Sequence, residues 1–263
     1  MHLVDDHLRT VVHFILCNDP FYYRKKTSGK VLFQDKSIYI GELENEILNG
    51  YGVWSHPNGE EYKGQWADGK ENGSGIYSYP DGGQFSGNFV DGLREGSGIW
   101  SHPDGSKYQG NWSKGKFHGK GIFIWTDQKK YDGDWRNGIQ EGIGKTNYPD
   151  GREYLGEYKN GEENGFGEWS DLDGQTYRGE FKDGEFDGKG FCNFPDGGSY
   201  EGQFVKGKID GEGEYKFPDG NIAKGVWKDN KPWDVVGTLE NGEVNGYYEN
   251  GEFISVENKT KLI

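Results

Sequence analysis

The sequence predicts an all-β fold: an elongated, single-layer antiparallel sheet of tandem 23-residue β-hairpin units, twisted into a trough. Three observations predict it. The chain repeats itself without insertion or deletion, with Tyr39, Tyr62, Phe85, Tyr108, Tyr131, Tyr154, Tyr177 and Tyr200 opening eight equal units. Within each unit aromatic residues and glycines alternate at spacing two, the side-chain period of a strand. Between these alternating runs stand Asp-Gly or Asn-Gly pairs and Pro-Asp-Gly triplets, residues that tolerate or impose the backbone of tight turns.

Counting each opener as position one, glycine occupies positions three, twelve and fourteen in every unit, and positions eight and twenty-one in all but one unit each, where Glu46 and Gln128 stand instead. These five phases hold nearly all of the 46 glycines. Position five is Leu43, Trp66, Phe89, Trp112, Trp135, Tyr158, Phe181 and Phe204. Positions one to five therefore form one short strand, and fourteen to eighteen a second. Centring the first turn between positions nine and ten sets five opposite fourteen, three opposite sixteen and one opposite eighteen. Centring the second on position twenty-one extends the same rows into the next unit. In that register a glycine faces an aromatic across each strand pair, and the ring lies over bare backbone. One face is then an aromatic pavement and the other mostly polar. Sixteen strands at about 4.8 Å would extend about 75 Å.

Composition supports an ordered but unconventional chain. Of 263 residues only 32% are hydrophobic while 16% are aromatic, and the mean hydropathy is −0.97. With 8 prolines the chain is neither collagen-like nor Pro-rich. The net charge of −14 disfavours nucleic acid and anionic lipid as partners, since both require a cationic surface. Cys17 and Cys192 have no companion spacing for zinc or a disulfide framework, which fits a reducing interior. The apolar run Val11–Cys17 is too short to span a bilayer and lacks a preceding basic segment.

The unit "YKGQWADGKENGSGIYSYPDGGQ" (Tyr62–Gln84) resembles the MORN repeat, the membrane occupation and recognition nexus motif. The resemblance covers residues 39–222 and continues, degraded, through Ala223–Trp233. It implies a hairpin-built sheet with a scaffolding or tethering role in the cytoplasm, cytoskeleton or cilium. Departures stand at Leu43, Glu46, Thr126–Gln128, Thr146, Asp171–Gly174 and Cys192. Residues 1–38 read as an N-terminal cap, with a short helix at Leu8–Leu16 and a strand at Lys30–Gln34. Residues 223–263 read as a degenerate repeat and C-terminal β cap over the last edge.

No catalytic constellation emerges. Asp at position twenty sits inside turn triplets where it bonds its own backbone. His56 and His102 share a phase two units apart, roughly 20 Å, too far to share a metal. The Gly-x-Gly pairs follow the strand period and open no helix, so no phosphate cradle follows. Some MORN-bearing proteins carry a lipid kinase or a methyltransferase domain after the array; about forty residues remain here, too few for one. The sequence thus predicts no enzyme activity, no cofactor and no metal.

It predicts a scaffold or adaptor that binds a helical or extended protein segment, with membrane or phosphoinositide tethering, or service as the targeting subunit of a separate enzyme, as alternatives. Two surfaces are candidates. The groove row comprises Tyr62, Trp66, Tyr108, Trp112, Tyr131 and Trp135. The outer stripe comprises Val53, Ile76, Ile99 and Ile122 at position fifteen, a phase that turns to Lys145, Glu168, Phe191 and Glu214 in the later units. The stripe would dock the N-terminal segment, through Val11, Val12, Phe14 and Ile15, or an outside partner.

Overall fold

Every hairpin closes through a two-residue turn at positions seven and eight. In the second repeat Asp68 and Gly69 take φ of 48° and 80°, and Ala67 pairs with Lys70 across them. Two successive positive φ values define the type I′ turn, whose twist matches that of the strands it joins. Where glycine is replaced the backbone does not change: Glu46 at position eight has φ 69°, and Gln128 at position twenty-one of the other connection has φ 71°.

The second connection is a four-residue turn. Gly82 donates its N–H to the carbonyl of Tyr79, and Tyr79 donates to Gly83 (3.0 and 2.8 Å). Proline presets its first central position. The Asp81 carboxylate accepts from the Gly83 N–H at 2.9 Å.

The structure is a computed structural model and describes residues 26–259. Contacts divide the chain into two compact units, one ending at Thr126 and one beginning at Asp127. The first is an antiparallel meander of β1 (Lys26–Leu32), β2 (Ile38–Glu44), β3 (Ile47–Ser55), β4 (Glu61–Ala67), β5 (Lys70–Ser78), β6 (Gln84–Val90), β7 (Leu93–Ser101), β8 (Lys107–Ser113) and β9 (Lys116–Ile124). The second runs through β10 (Lys130–Arg136), β11 (Ile139–Asn147), β12 (Glu153–Lys159), β13 (Glu162–Ser170), β14 (Thr176–Lys182), β15 (Glu185–Asn193), β16 (Ser199–Val205), β17 (Lys208–Lys216), β18 (Ile222–Lys228), β19 (Lys231–Thr238), β20 (Val244–Glu249) and β21 (Glu252–Ser255). A single helical turn, α1 (Val256–Lys259), follows. Within each unit every strand pairs with its sequence neighbour, so the all-β hairpin fold is as the period implies.

The register corrects the expected one by two residues. Tyr62 pairs with Tyr77 and Gly64 with Gly75 in the hairpin; Gly75 pairs with Gly87 and Tyr77 with Phe85 across the next turn. Position one thus faces sixteen, and three faces fourteen. Glycine faces glycine, and aromatic faces aromatic. The physical reason is that the first turn falls at positions seven and eight, earlier than a centre between nine and ten. The longer strand then absorbs its two extra residues in a bulge between the Gly64 and Trp66 rows.

The position-twelve glycine makes that bulge at positive φ, 94° at Gly73. On the polar face the position-four side chain lies over it and, in several repeats, accepts from the N–H of position thirteen. Glu42 accepts from Tyr51 (3.2 Å) and Glu157 from Phe166 (3.0 Å).

The array also begins earlier than Tyr39. In β1, Gly29 pairs with Gly41 and Val31 with Tyr39, the pairing of positions fourteen and sixteen with the next unit's three and one. Lys36, with φ 67°, stands at the phase of the turn glycine. Residues 26–38 are therefore the second half of a repeat in phase with the rest, and the strand expected at Lys30–Gln34 lies at Lys26–Leu32. The helix expected at Leu8–Leu16 falls outside the described residues. At the other end the frame slips by one residue: Ala223, at position one, pairs with Gly237, at position fifteen.

Candidate functional site

The core is built by the position-one ring. Tyr62 runs forward along its own strand so that its ring covers both Gly64 and Gly75, and its hydroxyl donates to the Gln65 carbonyl at 2.9 Å. Tyr39, Tyr108, Tyr131, Tyr154 and Tyr177 make the same bond three residues on. Position-five rings stand edge-on between successive position-one rings. Trp66 lies 5.2 Å from Tyr39 and 5.2 Å from Tyr62, at interplanar angles of 83° and 87°, and its Nε1 donates to the Gly52 carbonyl of the preceding repeat. The position-ten side chain can then close over the ring, as Phe117 does on Tyr108 and Phe186 on Tyr177, each stacked at 3.8 Å.

That packing removes the expected groove row from the surface. Tyr62, Tyr108 and Tyr131 are fully buried; Trp66, Trp112 and Trp135 expose 2%, 3% and 6%. These six rings are interior, because glycine pairs let the rings lie flat and edge-on neighbours seal them. As folded they offer a partner no contact area.

On the face that carries the core rings, the accessible aromatic surface lies at positions sixteen and eighteen, while Tyr51, Phe166 and Phe191 are exposed on the polar face. In the first unit it comprises Trp54 and His56 (stacked, 5.8 Å), Tyr77 and Tyr79 (4.8 Å), Trp100 and His102 (stacked, 6.1 Å), and Phe123 and Trp125 (4.6 Å). Trp54 is buried and the others are half-buried. Trp100 reaches Phe123 of the next repeat at 6.3 Å. The signal was present in the sequence, but the assumed register paired position eighteen with position one and hid the row's separate identity.

Polar groups fix these rings. Arg94 donates to the Tyr79 hydroxyl (3.1 Å) and to the Gly115 carbonyl (2.9 Å), with its guanidinium 4.4 Å from the Trp112 ring. Burial raises the Tyr77 and Tyr79 phenol pKa values. His102 sits between Asp104 (2.9 Å) and Asp81 (3.8 Å). The Asp104 carboxyl is lowered to about 2, first by its bond from the Ser106 hydroxyl.

In the second unit the same phases read Thr146 and Tyr148, Trp169 and Asp171, Cys192 and Phe194, Tyr215 and Phe217, so the row is broken. The Thr146 and Tyr158 hydroxyls share a hydrogen bond at 2.6 Å. Tyr148 donates to Glu163 at 2.6 Å, and burial raises the Glu163 carboxyl above its ordinary value. Cys192 is buried, with its thiol pKa pushed up by desolvation. Beside it lies an open apolar cavity of about 380 Å³ lined by Phe186, Phe194, Phe204, Ile209, Tyr215 and Trp227 among others.

On the opposite face, Ile76 and Ile99 are each 39% exposed, while Val53 and Ile122 are half-buried. Polar residues interleave them: Ile76 sits between Lys63 and Ser86, Ile99 between Ser86 and Gln109. Ile40, 58% exposed, extends the row. In the second unit the charges at this phase pair with neighbours, Lys145 with Glu153, Glu168 with Arg178 and Glu214 with Lys224, at 2.9, 3.4 and 3.0 Å. The N-terminal residues once expected over the stripe lie outside the described residues. Among the described residues no cluster could hold a metal ion, and no helix is long and apolar enough to cross a membrane.

A profile of the MORN repeat matches residues 39–61, 62–84, 85–107, 108–130, 131–151, 154–176, 177–199 and 200–222. The chain belongs to the MORN-repeat family. These MORN repeats coincide with the hairpins described above, with β1 and its turn preceding the first match. No curated protein sequence matches the chain.

Among solved structures, the MORN array is similar to the TCP10 domain of Danio rerio CPAP in complex with a peptide of Danio rerio STIL. The TM-score is 0.45 at 13% identity, covering 86% of this chain and 99% of that one. It is also similar to the SAS-4 TCP domain of Drosophila melanogaster in complex with a proline-rich motif of Ana2, with TM-score 0.38 at 16% identity, covering 58% and 84%.

Proposed function

We propose that this MORN-repeat protein is a non-catalytic scaffold that holds a segment of another protein against the row formed by positions sixteen and eighteen of its first unit. One observation carries the reading. The rings at positions one and five are consumed by the core, whereas Tyr77, Tyr79, Trp100 and Phe123 keep part of their faces in solvent in an uninterrupted run. Large, rigid, partly wet rings supply contact area at low entropic cost. The family resemblance further suggests a cytoskeletal or ciliary assembly as its setting. Membrane tethering is the weaker reading, because a net charge of −14 repels anionic headgroups.

The test is affinity capture with the full chain and with a Tyr79→Ala/Trp100→Ala variant of verified fold. A protein retained by the first and lost by the second supports the scaffold reading. Capture indifferent to the variant, together with flotation on anionic vesicles, overturns it in favour of the membrane.

A further inference from the structure

Resting on that reading, we infer that the segment held by the first unit is a basic, proline-rich stretch in the polyproline II conformation, laid across the strands. The row comprises Tyr77, Tyr79, Trp100, His102, Phe123 and Trp125. Each repeat contributes two strands, so equivalent positions recur at about 9.6 Å along the sheet. A ligand following the row must present the same face at that interval.

Three regular conformations compete for it. A polyproline II helix rises 3.1 Å per residue with three residues per turn, so every third side chain returns to one face after about 9.3 Å. A β-strand covers that distance in three residues too, but its two-residue period turns alternate contacts away from the row. An α-helix needs seven residues to restore its face, about 10.5 Å, and drifts by roughly 1 Å per repeat. Proline also brings a flat apolar ring to an aromatic surface without side-chain ordering.

Charge selects a basic segment. At phases ten, twenty and twenty-two the rim of this row carries Glu60, Glu71, Asp81 and Asp104. The Tyr77 phenol, raised first by burial, is raised further by the nearby Glu60 and Glu71 carboxylates. Within the first unit the cation at these phases is Arg94, and it is turned in against Trp112 and toward the Gly115 carbonyl. Arginines between the prolines would lie against the exposed ring faces and the carboxylates.

The experiment titrates the full chain with four synthetic twelve-residue peptides: the triplet Ala-Pro-Arg repeated, the same composition with the period scrambled, the periodic peptide with Glu for Arg, and an amphipathic helix former carrying aromatics at heptad spacing. The periodic basic peptide should bind about tenfold more tightly than the scrambled one and lose affinity with added salt. Trp100→Ala should weaken it about tenfold. Asp81→Asn with Asp104→Asn keeps a turn-capping oxygen at both sites and should flatten the salt dependence.

Equal binding of periodic and scrambled peptides, indifference to Trp100→Ala, or absence of binding by any peptide overturns the inference. Tighter binding of the helical peptide overturns it while leaving the scaffold reading intact. Failure of the capture experiment above removes that reading itself.

Discussion

The ring of Tyr62 occupies the volume that a Cβ on Gly75 would need: its Cε2 and Cζ lie 2.5 Å from that position. Gly75→Ala should therefore destabilise the fold by about 3 kcal/mol or more, because the ring is pinned by the Gln65 carbonyl and by Trp66 and cannot withdraw. Gly184 is the control, since a Cβ there meets nothing within 4 Å although φ is 81°; Gly184→Ala should cost about 1 kcal/mol. Urea unfolding of both variants decides it. Equal costs would mean that the ring yields.

Trp112 supports two neighbours at once, lying 4.9 Å from Phe85 and 5.3 Å from Tyr108, and its Nε1 donates to the Gly98 carbonyl. Trp112→Ala should cost about 3–5 kcal/mol of stability. Any loss of partner binding should track unfolding, because the ring is core. A stable variant that cannot bind would return the ring to the surface.

The third repeat opens with Phe85 where seven others have tyrosine. Phe85→Tyr adds the hydroxyl that elsewhere reaches the carbonyl three residues on, here that of Asn88. The change should raise stability by about 0.5–1 kcal/mol. A loss in thermal denaturation would mean that this repeat has closed over the missing atom.

Burial raises the phenols of Tyr39, Tyr108 and Tyr200 to about 12. An ordinary phenol ionises near pH 10 in the unfolded chain. Below that both states keep the proton and the full stability is present. As pH rises through about 10 the unfolded chain ionises first, so stability falls until the folded phenols follow at about 12. Urea midpoints should drop steeply between about pH 10 and 12 and stay level from about 8 to 9.5 as far as these groups decide it. A level profile across the alkaline window would show that the rings are wetter than their packing indicates.

Ile76→Lys with Ile99→Lys should be close to neutral in stability, within about 1 kcal/mol. Lys145 already occupies this phase and pairs with Glu153, and Glu61 and Gln84 occupy the phases flanking Ile76. If the double variant also leaves capture by the full chain unchanged, the stripe is strand composition and the ring face alone binds.

The hairpins and their two faces could be read from the period, since glycine and aromatic phases admit no other regular structure. The pairing could not. Gly64 fits opposite Gly75 or opposite Tyr77 by alternation alone; only the positive φ of Gly73, which absorbs two residues, chooses between them. That choice sent Tyr62 and Trp66 inward and left Tyr77 and Trp100 outside. The half-repeat at residues 26–38 escaped notice because Lys36 stands where the turn glycine usually does and Val31 where the ring does. Its backbone phase was intact while its composition was not.

Because the repeats inside each unit pair their glycines with those of both neighbours in one frame, the 23-residue stretch is an interchangeable cassette. Excising residues 62–84 would bring Glu61 against Phe85, joining a tail to a head that already fit each other. Unequal recombination between such stretches therefore lengthens or shortens the reading frame without breaking a strand pair, and the number of repeats becomes a trait that heredity can adjust by whole steps.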